Sequence, residues 1–351
     1  MVCTAAALLV TGCGLLPVDT GTVPRSSNQD GVEQSDALLT RFLGSEAPGC
    51  SAAVAVNGEL AWSGARGVAD KASRTPLTQK SVFDFASVSK QFTATAILLL
   101  EHEGVLSQHD PLSKWVPGLP EWAGSVALGD LMHHRSGIPD YTVLLADQGV
   151  AVTDPATQED ALRAIGAVSE LRAKPGSAFE YSNSNYVLLA QAAENAAATP
   201  FADLLSSRVF GDHELSLART GPDVVRNYEG GKETRSAWSQ VGDGSVHGTP
   251  ATLVLWADYY RTRSIDGVDV GDEATSGAKP TGAPDGSKYG AGILVGSDDT
   301  LSHIGVWAGA VTLFGVTADR ATVLAVSCNS TDAPAEPIAQ GLRTIWGTPP
   351  S

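Results

Sequence analysis

The rhythm of apolar and polar positions changes several times along the chain. Cys50 to Val56 is a continuous small-apolar run, Asn57-Gly58 follows, and Glu59 to Gly67 alternates. Asn-Gly between two such runs predicts a β-hairpin, because both residues accept the positive φ that a type I′ turn requires. Ser87 to Glu103 reads as a helix with Gly104 placed to cap it. Its apolar residues Val88, Phe92, Ala96, Ile97, Leu99 and Leu100 cover more than one face, so this helix is expected inside the fold. From Asp110 to about Asp258, Pro-broken loops alternate with helical segments: Gln158 to Leu171, Tyr186 to Ala198 and Ala251 to Arg261. Ile265 to Lys288 is rich in Gly, Asp and Pro and reads as loop or a short excursion. Three β-like runs follow, Tyr289 to Val295, Leu301 to Val316 with a break, and Thr322 to Cys328; a last helix is predicted over Pro337 to Trp346. Terminal strands around a helical insert most simply join into one sheet, with the insert as a second lobe and a cleft between the two.

Length allows two domains or one larger α/β unit in 351 residues, and 43% hydrophobic with 18% charged residues is a globular composition. Against 23 Lys and Arg stand 39 Asp and Glu, a formal charge of −16, and no basic block occurs. Nucleic-acid binding is therefore excluded as an expectation, since phosphate contacts need clustered cations. The longest apolar runs, such as Ala5 to Val10 and Ala96 to Leu100, fall short of the roughly 20 residues of a membrane-spanning helix.

The run Ala5 to Val10 before Thr11-Gly12-Cys13 resembles the lipobox of a bacterial lipoprotein signal peptide. It implies residues 1–12 as a signal, lipid on Cys13, export, and anchorage on the outer face of the cell membrane. The absence of a basic residue before Arg25 departs from that pattern. Residues 13–36 read as a polar, flexible tether and 37–351 as the folded domain, with a helical lobe over roughly 104–284. Cys50 and Cys328 stand at the ends of β-like runs. As an even pair in an exported chain they form a disulfide, or else they are two buried thiols.

Three short motifs carry candidate chemistry. Ser87-Val88-Ser89-Lys90 sets a hydroxyl and an amine one helical turn apart. Serine needs a neighbouring base to become a nucleophile, and a lysine can serve only where burial disfavours its charge. The same spacing at Ser276 to Lys279 falls in a Gly/Pro loop that would neither fix nor desolvate the pair. Tyr181-Ser182-Asn183 joins a phenol able to share a proton with an ammonium to an amide able to orient a substrate. His303-Ile304-Gly305 lies on a predicted strand, where Gly305 admits close approach of another backbone. His133 and His134 do not read as metal ligands, because adjacent side chains point apart and no further ligand motif accompanies them. Metal and cofactor are both expected to be none.

Taken in order, these motifs resemble the serine β-lactamase and penicillin-binding protein superfamily, in its class C-like branch with DD-carboxypeptidases, D-aminopeptidases and esterases. Pro48-Gly49-Cys50-Ser51, Phe85 to Thr93, Leu131-Met132-His133-His134-Arg135-Ser136-Gly137-Ile138-Pro139, Pro175-Gly176 and Gly242-Asp243-Gly244 extend the likeness from Ala47 to Trp346. The resemblance implies an α/β fold: an antiparallel sheet of amino- and carboxy-terminal strands flanked by helices, beside an all-helical lobe. It implies an acyl-enzyme on Ser87, with Lys90 and Tyr181 as a coupled acid and base and Asn183 holding the substrate. The N–H groups of Ser87 and Val306 would form an oxyanion hole. His303, Gly305, Tyr141 and Trp307 would line the substrate site. In such a sheet the first strand runs against the last, which places Cys50 opposite Cys328 and favours the disulfide. Many relatives carry a hydroxyl where this chain has Ile304, a donor to substrate carboxylates; its loss points to an ester or an uncharged amide. The expected partner is a small-molecule or peptide substrate, and the expected assembly a monomer. The rival reading is a non-catalytic penicillin-binding or sensor lipoprotein.

Overall fold

A computed structural model describes residues 28–217, 224–262, 264–265 and 267–347. The predicted signal, Cys13 and most of the tether lie outside the described residues. One correction falls within them: Asn28–Phe42 is a helix (α1), so the last nine tether positions belong to the fold. A polar average concealed a one-sided apolar stripe, in which Leu39 packs with Leu43 on the sheet.

The hairpin forms as predicted, as β1 (Cys50–Val56) and β2 (Glu59–Arg66), and Asn57 and Gly58 both take positive φ. The later strands of the same sheet are β3 (Lys279–Pro280), β4 (Lys288–Tyr289), β5 (Leu294–Val295), β6 (Leu301–Trp307), β7 (Ala310–Val316) and β8 (Thr322–Cys328). They build one antiparallel sheet in the order β3-β4-β5-β6-β7-β8-β1-β2. β1 pairs with β8 in a register that sets Cys50 opposite Cys328, and the two are joined by a disulfide with Cα atoms 4.0 Å apart.

Alternation along β1 sends its side chains to two different cores. Ala52 and Val54 face α1 and α5 (Ala335–Trp346), with Ile338, Ala339 and Leu342. Ala53 and Ala55 face the large core, which holds α2 (Lys90–His102), α3 (Asn183–Ala197) and α4 (Pro250–Trp256). Residues Lys90 to Leu100 of α2 are all buried, as its all-round apolar pattern predicts, and Gly104 ends it at φ +70°. The predicted strand over Tyr289 to Val295 is instead two short strands. Gly292, at φ +76°, packs where a Cβ would meet the Lys90 carbonyl at 2.6 Å, so the chain bends there to let α2 begin.

The insert is mainly helical but not wholly so. It carries the ribbons Asn227–Glu229 with Lys232–Thr234 and Ser264–Ile265 with Val268–Asp269. Residues His247–Gly248 return to pair with Phe83–Asp84, just before the first motif. The helix expected over Gln158 to Leu171 stops at Gly166, and that expected over Ala251 to Arg261 is broken after Trp256. No helix among the described residues is long and apolar enough to cross a membrane.

Candidate active site

Ser87 sits in a single 3-10 turn, Ala86–Ser89, that feeds directly into α2. Ala86 has φ +47°, a region costly for a residue with a Cβ, and its N–H is held by the Asp84 carboxylate at 2.8 Å. The turn raises Ser87 to the cleft while Ser89 stays buried, accepting the Val246 N–H at 3.0 Å. Of the two serines, therefore, only Ser87 is presented.

Lys90, one turn on, is fully buried and its ammonium meets three acceptors. Nζ donates to Ser87 Oγ at 3.1 Å, to Asn183 Oδ1 at 2.8 Å and to the Asp243 carbonyl at 2.7 Å. Gly242 makes the last contact possible: at φ +102° it packs where a Cβ would lie 2.3 Å from the Tyr186 carbonyl, and its own carbonyl accepts from Thr93 at 2.7 Å. Lys90 Nζ also lies 5.1 Å from the Tyr181 ring centroid, and Tyr181 is 38% exposed at the cleft. The Ser276 and Lys279 pair, by contrast, stands exposed on the surface.

Asn183 opens α3, where its backbone N–H and Nδ2 both donate to Asp140 at 2.9 Å. With its carbonyl taken by Lys90, the amide is oriented from both ends. On the other wall, residues Ala308 and Gly309 take positive φ in a two-residue turn, so Trp307 and Ala310 close the hairpin. Antiparallel alternation then directs the N–H of Val306 to the opposite edge, where β5 covers only Leu301 and Ser302. That edge abuts the nucleophile turn: a Cβ on Gly305 would lie 2.2 Å from the Phe85 carbonyl and 2.9 Å from the Ser87 nitrogen.

A narrow cleft of about 50 Å³ opens here, lined among others by Ser87, Asn183, Tyr141, Trp238, Trp307 and Val306. Tyr141 and Trp307 are among the lining residues, although Tyr141 is 2% exposed and belongs to the large core; Trp238 was not singled out in the sequence. Asp84 and Asp243 also line it, and Tyr141 donates its hydroxyl to Asp243 at 3.0 Å. Desolvation pushes the Asp243 carboxyl up, against the pull of Lys90. In the sequence Asp243 stood out only as the middle of Gly242-Asp243-Gly244, and Asp140 was not singled out; the structure shows it as the cap of the helix Tyr141–Asp147. His303 departs from expectation. It is buried, its Nδ1 donates to the Ile304 carbonyl at 2.9 Å, and its Nε2 faces the Tyr289 hydroxyl at 3.0 Å, so both nitrogens are engaged within the protein. Burial, then the charge of Lys90, push its pKa down to about 3. It braces β6 and presents nothing to the cavity.

The family model described as Beta-lactamase matches residues 36–343. Penicillin-binding protein 4* of Bacillus subtilis (strain 168) is 32% identical over 181 residues, which cover 50% of this chain and 39% of that protein. A D-aminopeptidase of Cereibacter sphaeroides (strain KD131 / KCTC 12085) is 32% identical over 202 residues, 56% of this chain and 38% of that one. The chain thus spans about two fifths of the length of these curated relatives. Among solved structures, the octameric penicillin-binding protein homologue from Pyrococcus abyssi superposes with a TM-score of 0.76 at 22% identity, over 90% of this chain and 76% of that one. The D-amino acid amidase from Ochrobactrum anthropi SV3 complexed with L-phenylalanine gives 0.71 at 22% identity, over 91% and 99%. At such identities the structural likeness establishes the fold.

Proposed function

The chain belongs to the Beta-lactamase family, and from that premise we propose that it is a serine hydrolase cleaving an amide or ester through an acyl-enzyme on Ser87. The observation that carries this is the convergence of the Ser87 hydroxyl, the Lys90 ammonium and the Asn183 amide at 2.8–3.1 Å, beneath the Tyr181 ring. In the proposed step Ser87 Oγ bonds to the substrate carbonyl carbon and its proton passes to the Lys90–Tyr181 pair. For the step to run the Lys90–Tyr181 pair must hold a proton vacancy, which two coupled groups sharing one proton supply. The developing oxyanion would face the N–H groups of Ser87 and Val306. The pair then protonates the leaving amine or alcohol, and water attacks the acyl-enzyme by the reverse route. A non-catalytic binding role is not favoured, since it would leave this set of contacts without a use.

The cleft's charge bears on the substrate. Asp84 and Asp243 line it, and the outward residues of β6 are Ile304 and Val306, each more than half exposed. A substrate carboxylate would meet two acids there and, among the described residues, no cation lining the cleft, whereas a neutral or amino-bearing acyl group fits. The relatives named D-aminopeptidase and D-amino acid amidase agree with that preference. Fluorophosphonate labelling with Ser87→Ala as control tests the nucleophile. Turnover of p-nitrophenyl esters, D-amino-acid anilides with free and acetylated amines, and a penicillin tests the class. Labelling absent from wild type, or persisting in Ser87→Ala, refutes the proposal, and preference for the penicillin refutes the charge argument.

Export with lipid on Cys13, and a monomeric state, are proposals of the same kind. The Cys50–Cys328 bond supports an oxidising compartment. Mass spectrometry of the mature amino terminus and light scattering read the two directly.

A further inference from the structure

We propose that His134 is the positioning residue for Tyr181, holding the phenol over Lys90; this rests on the acyl-enzyme reading above. His134 is fully buried and brackets Tyr181 along the chain. Its carbonyl accepts the N–H of Glu180 at 2.8 Å and its Nδ1 accepts the N–H of Ser182 at 3.2 Å, so the peptide is pinned immediately before and after Tyr181. Its imidazole lies against the Tyr181 ring, with centroids 4.1 Å apart and planes 31° from parallel. Among the described residues no other ring lies as close to Tyr181.

A chain of donors sets the tautomer. The Ser182 N–H can only donate, so His134 Nδ1 accepts; Asn185 then turns its Nδ2 to Nδ1 and its Oδ1 to Ser136, whose Oγ accepts the Ile138 N–H at 3.0 Å and donates to Oδ1 at 2.6 Å. That leaves Asn185 Nδ2 facing His134 Nδ1 at 3.0 Å, which makes Nδ1 an acceptor twice over and puts the ring proton on Nε2. Nε2 is buried and has no hydrogen-bond partner among the described residues. A buried donor left unpaired costs stability, and His134 also sits at φ +53°, where a β-carbon is strained. Neither cost is needed merely to fill space among Phe179, Tyr186 and Tyr289, which pack on the same ring. Both follow if the ring must lie under Tyr181 while Nδ1 grips Ser182.

The test is a double-mutant cycle with His134→Asn and Tyr181→Phe. Asn tolerates the positive φ and keeps an acceptor near Nδ1 but removes the platform. Activity is expressed per Ser87 titrated by fluorophosphonate, so unfolded protein does not count. His134→Asn is expected to lower kcat about ten- to a hundredfold, the scale of an ångström's misplacement, with KM within about twofold. In the Tyr181→Phe background the same change should cost less than about twofold, because the group it positions is gone. Equal losses in both backgrounds, or a wild-type kcat, overturn the proposal. Should His134→Asn fail to fold, wild-type protein with labelled histidine and tyrosine decides. Nuclear Overhauser contact between the two rings and nitrogen shifts of an Nε2–H imidazole are expected, and their absence overturns it. Failure of fluorophosphonate to label wild type while that contact persists would count against the acyl-enzyme reading, not against His134.

Discussion

Gly305→Ala is the sharpest perturbation the site offers, because one methyl group enters the seam between two walls without altering any charge. Its Cβ would stand 2.2 Å from the Phe85 carbonyl oxygen, 2.9 Å from the Ser87 nitrogen and 3.1 Å from the Ala86 Cβ. Backbone atoms cannot swing aside as a side chain can. To restore even 3.0 Å, β6 and the nucleophile turn must part by about 0.8 Å (from 2.2 to 3.0 Å). The turn is already strained at Ala86 and tied by Asp84, and β6 is held along its whole length by β7, so the gap opens between the N–H groups of Ser87 and Val306. Loss of one oxyanion donor is worth about 2.7–4 kcal/mol, or roughly 10²–10³ in kcat. The overpacking should cost about 1–3 kcal/mol of stability. Ester turnover per titrated Ser87 and a thermal melt measure the two effects separately. A variant that melts near wild type and keeps kcat within threefold would refute the claim that these two backbones form the catalytic seam.

Lys90→Met should cut kcat by about 10²–10⁴ and lower the melting temperature, since Ser87 Oγ, Asn183 Oδ1 and the Asp243 carbonyl all lose their donor; turnover within tenfold of wild type would contradict it. Removing the disulfide by Cys50→Ala with Cys328→Ala opens a closure of 278 residues, for which chain entropy gives about 5.6 kcal/mol, so a fall of roughly 10 °C or more is expected. A non-reducing digest lacking a Cys50–Cys328 linked peptide would remove the premise. Acid should destabilise the fold. His303 is held at about 3 against 6.5 unfolded, so its contribution is complete above pH 6.5 and is lost as pH falls toward 3; burial acts in the same direction on His133 and His134. Asp243, with its pKa raised by desolvation, works oppositely, because its burial penalty is relieved as it protonates on the way down. With His213, also lowered by burial, and five aspartates held below the usual carboxylate range by hydrogen bonds, the balance against Asp243 among the described residues predicts a melting temperature that drops between pH 7 and 4, and a flat profile would contradict the sign.

What was legible along the chain was local. The Asn57-Gly58 hairpin, the buried helix capped by Gly104 and the Ser87 to Lys90 spacing depend on near neighbours, whose φ preferences and periodicity act over one or two turns. The three motifs were legible as candidates, and the same logic discounted the exposed Ser276 to Lys279 copy. His303 shows the limit. A ring nitrogen's duty depends on what stands opposite it, and Tyr289 and the Ile304 carbonyl engage both. Trp238, Asp140 and Asp243 went unassigned for the same reason, since they meet the site from elements far apart in the chain, whereas Asp84, three residues before Ser87, belonged to none of the three motifs.

By itself the sequence determined which segments turn, cap and bury, and which side chains have chemistry to offer. Only the tertiary structure decided which imidazoles face inward, and that two acceptors from distant segments join Ser87 on Lys90. The reason is physical. Propensity and periodicity are properties of a few adjacent residues, while desolvation and hydrogen-bond satisfaction belong to a site that exists only after those segments have packed together.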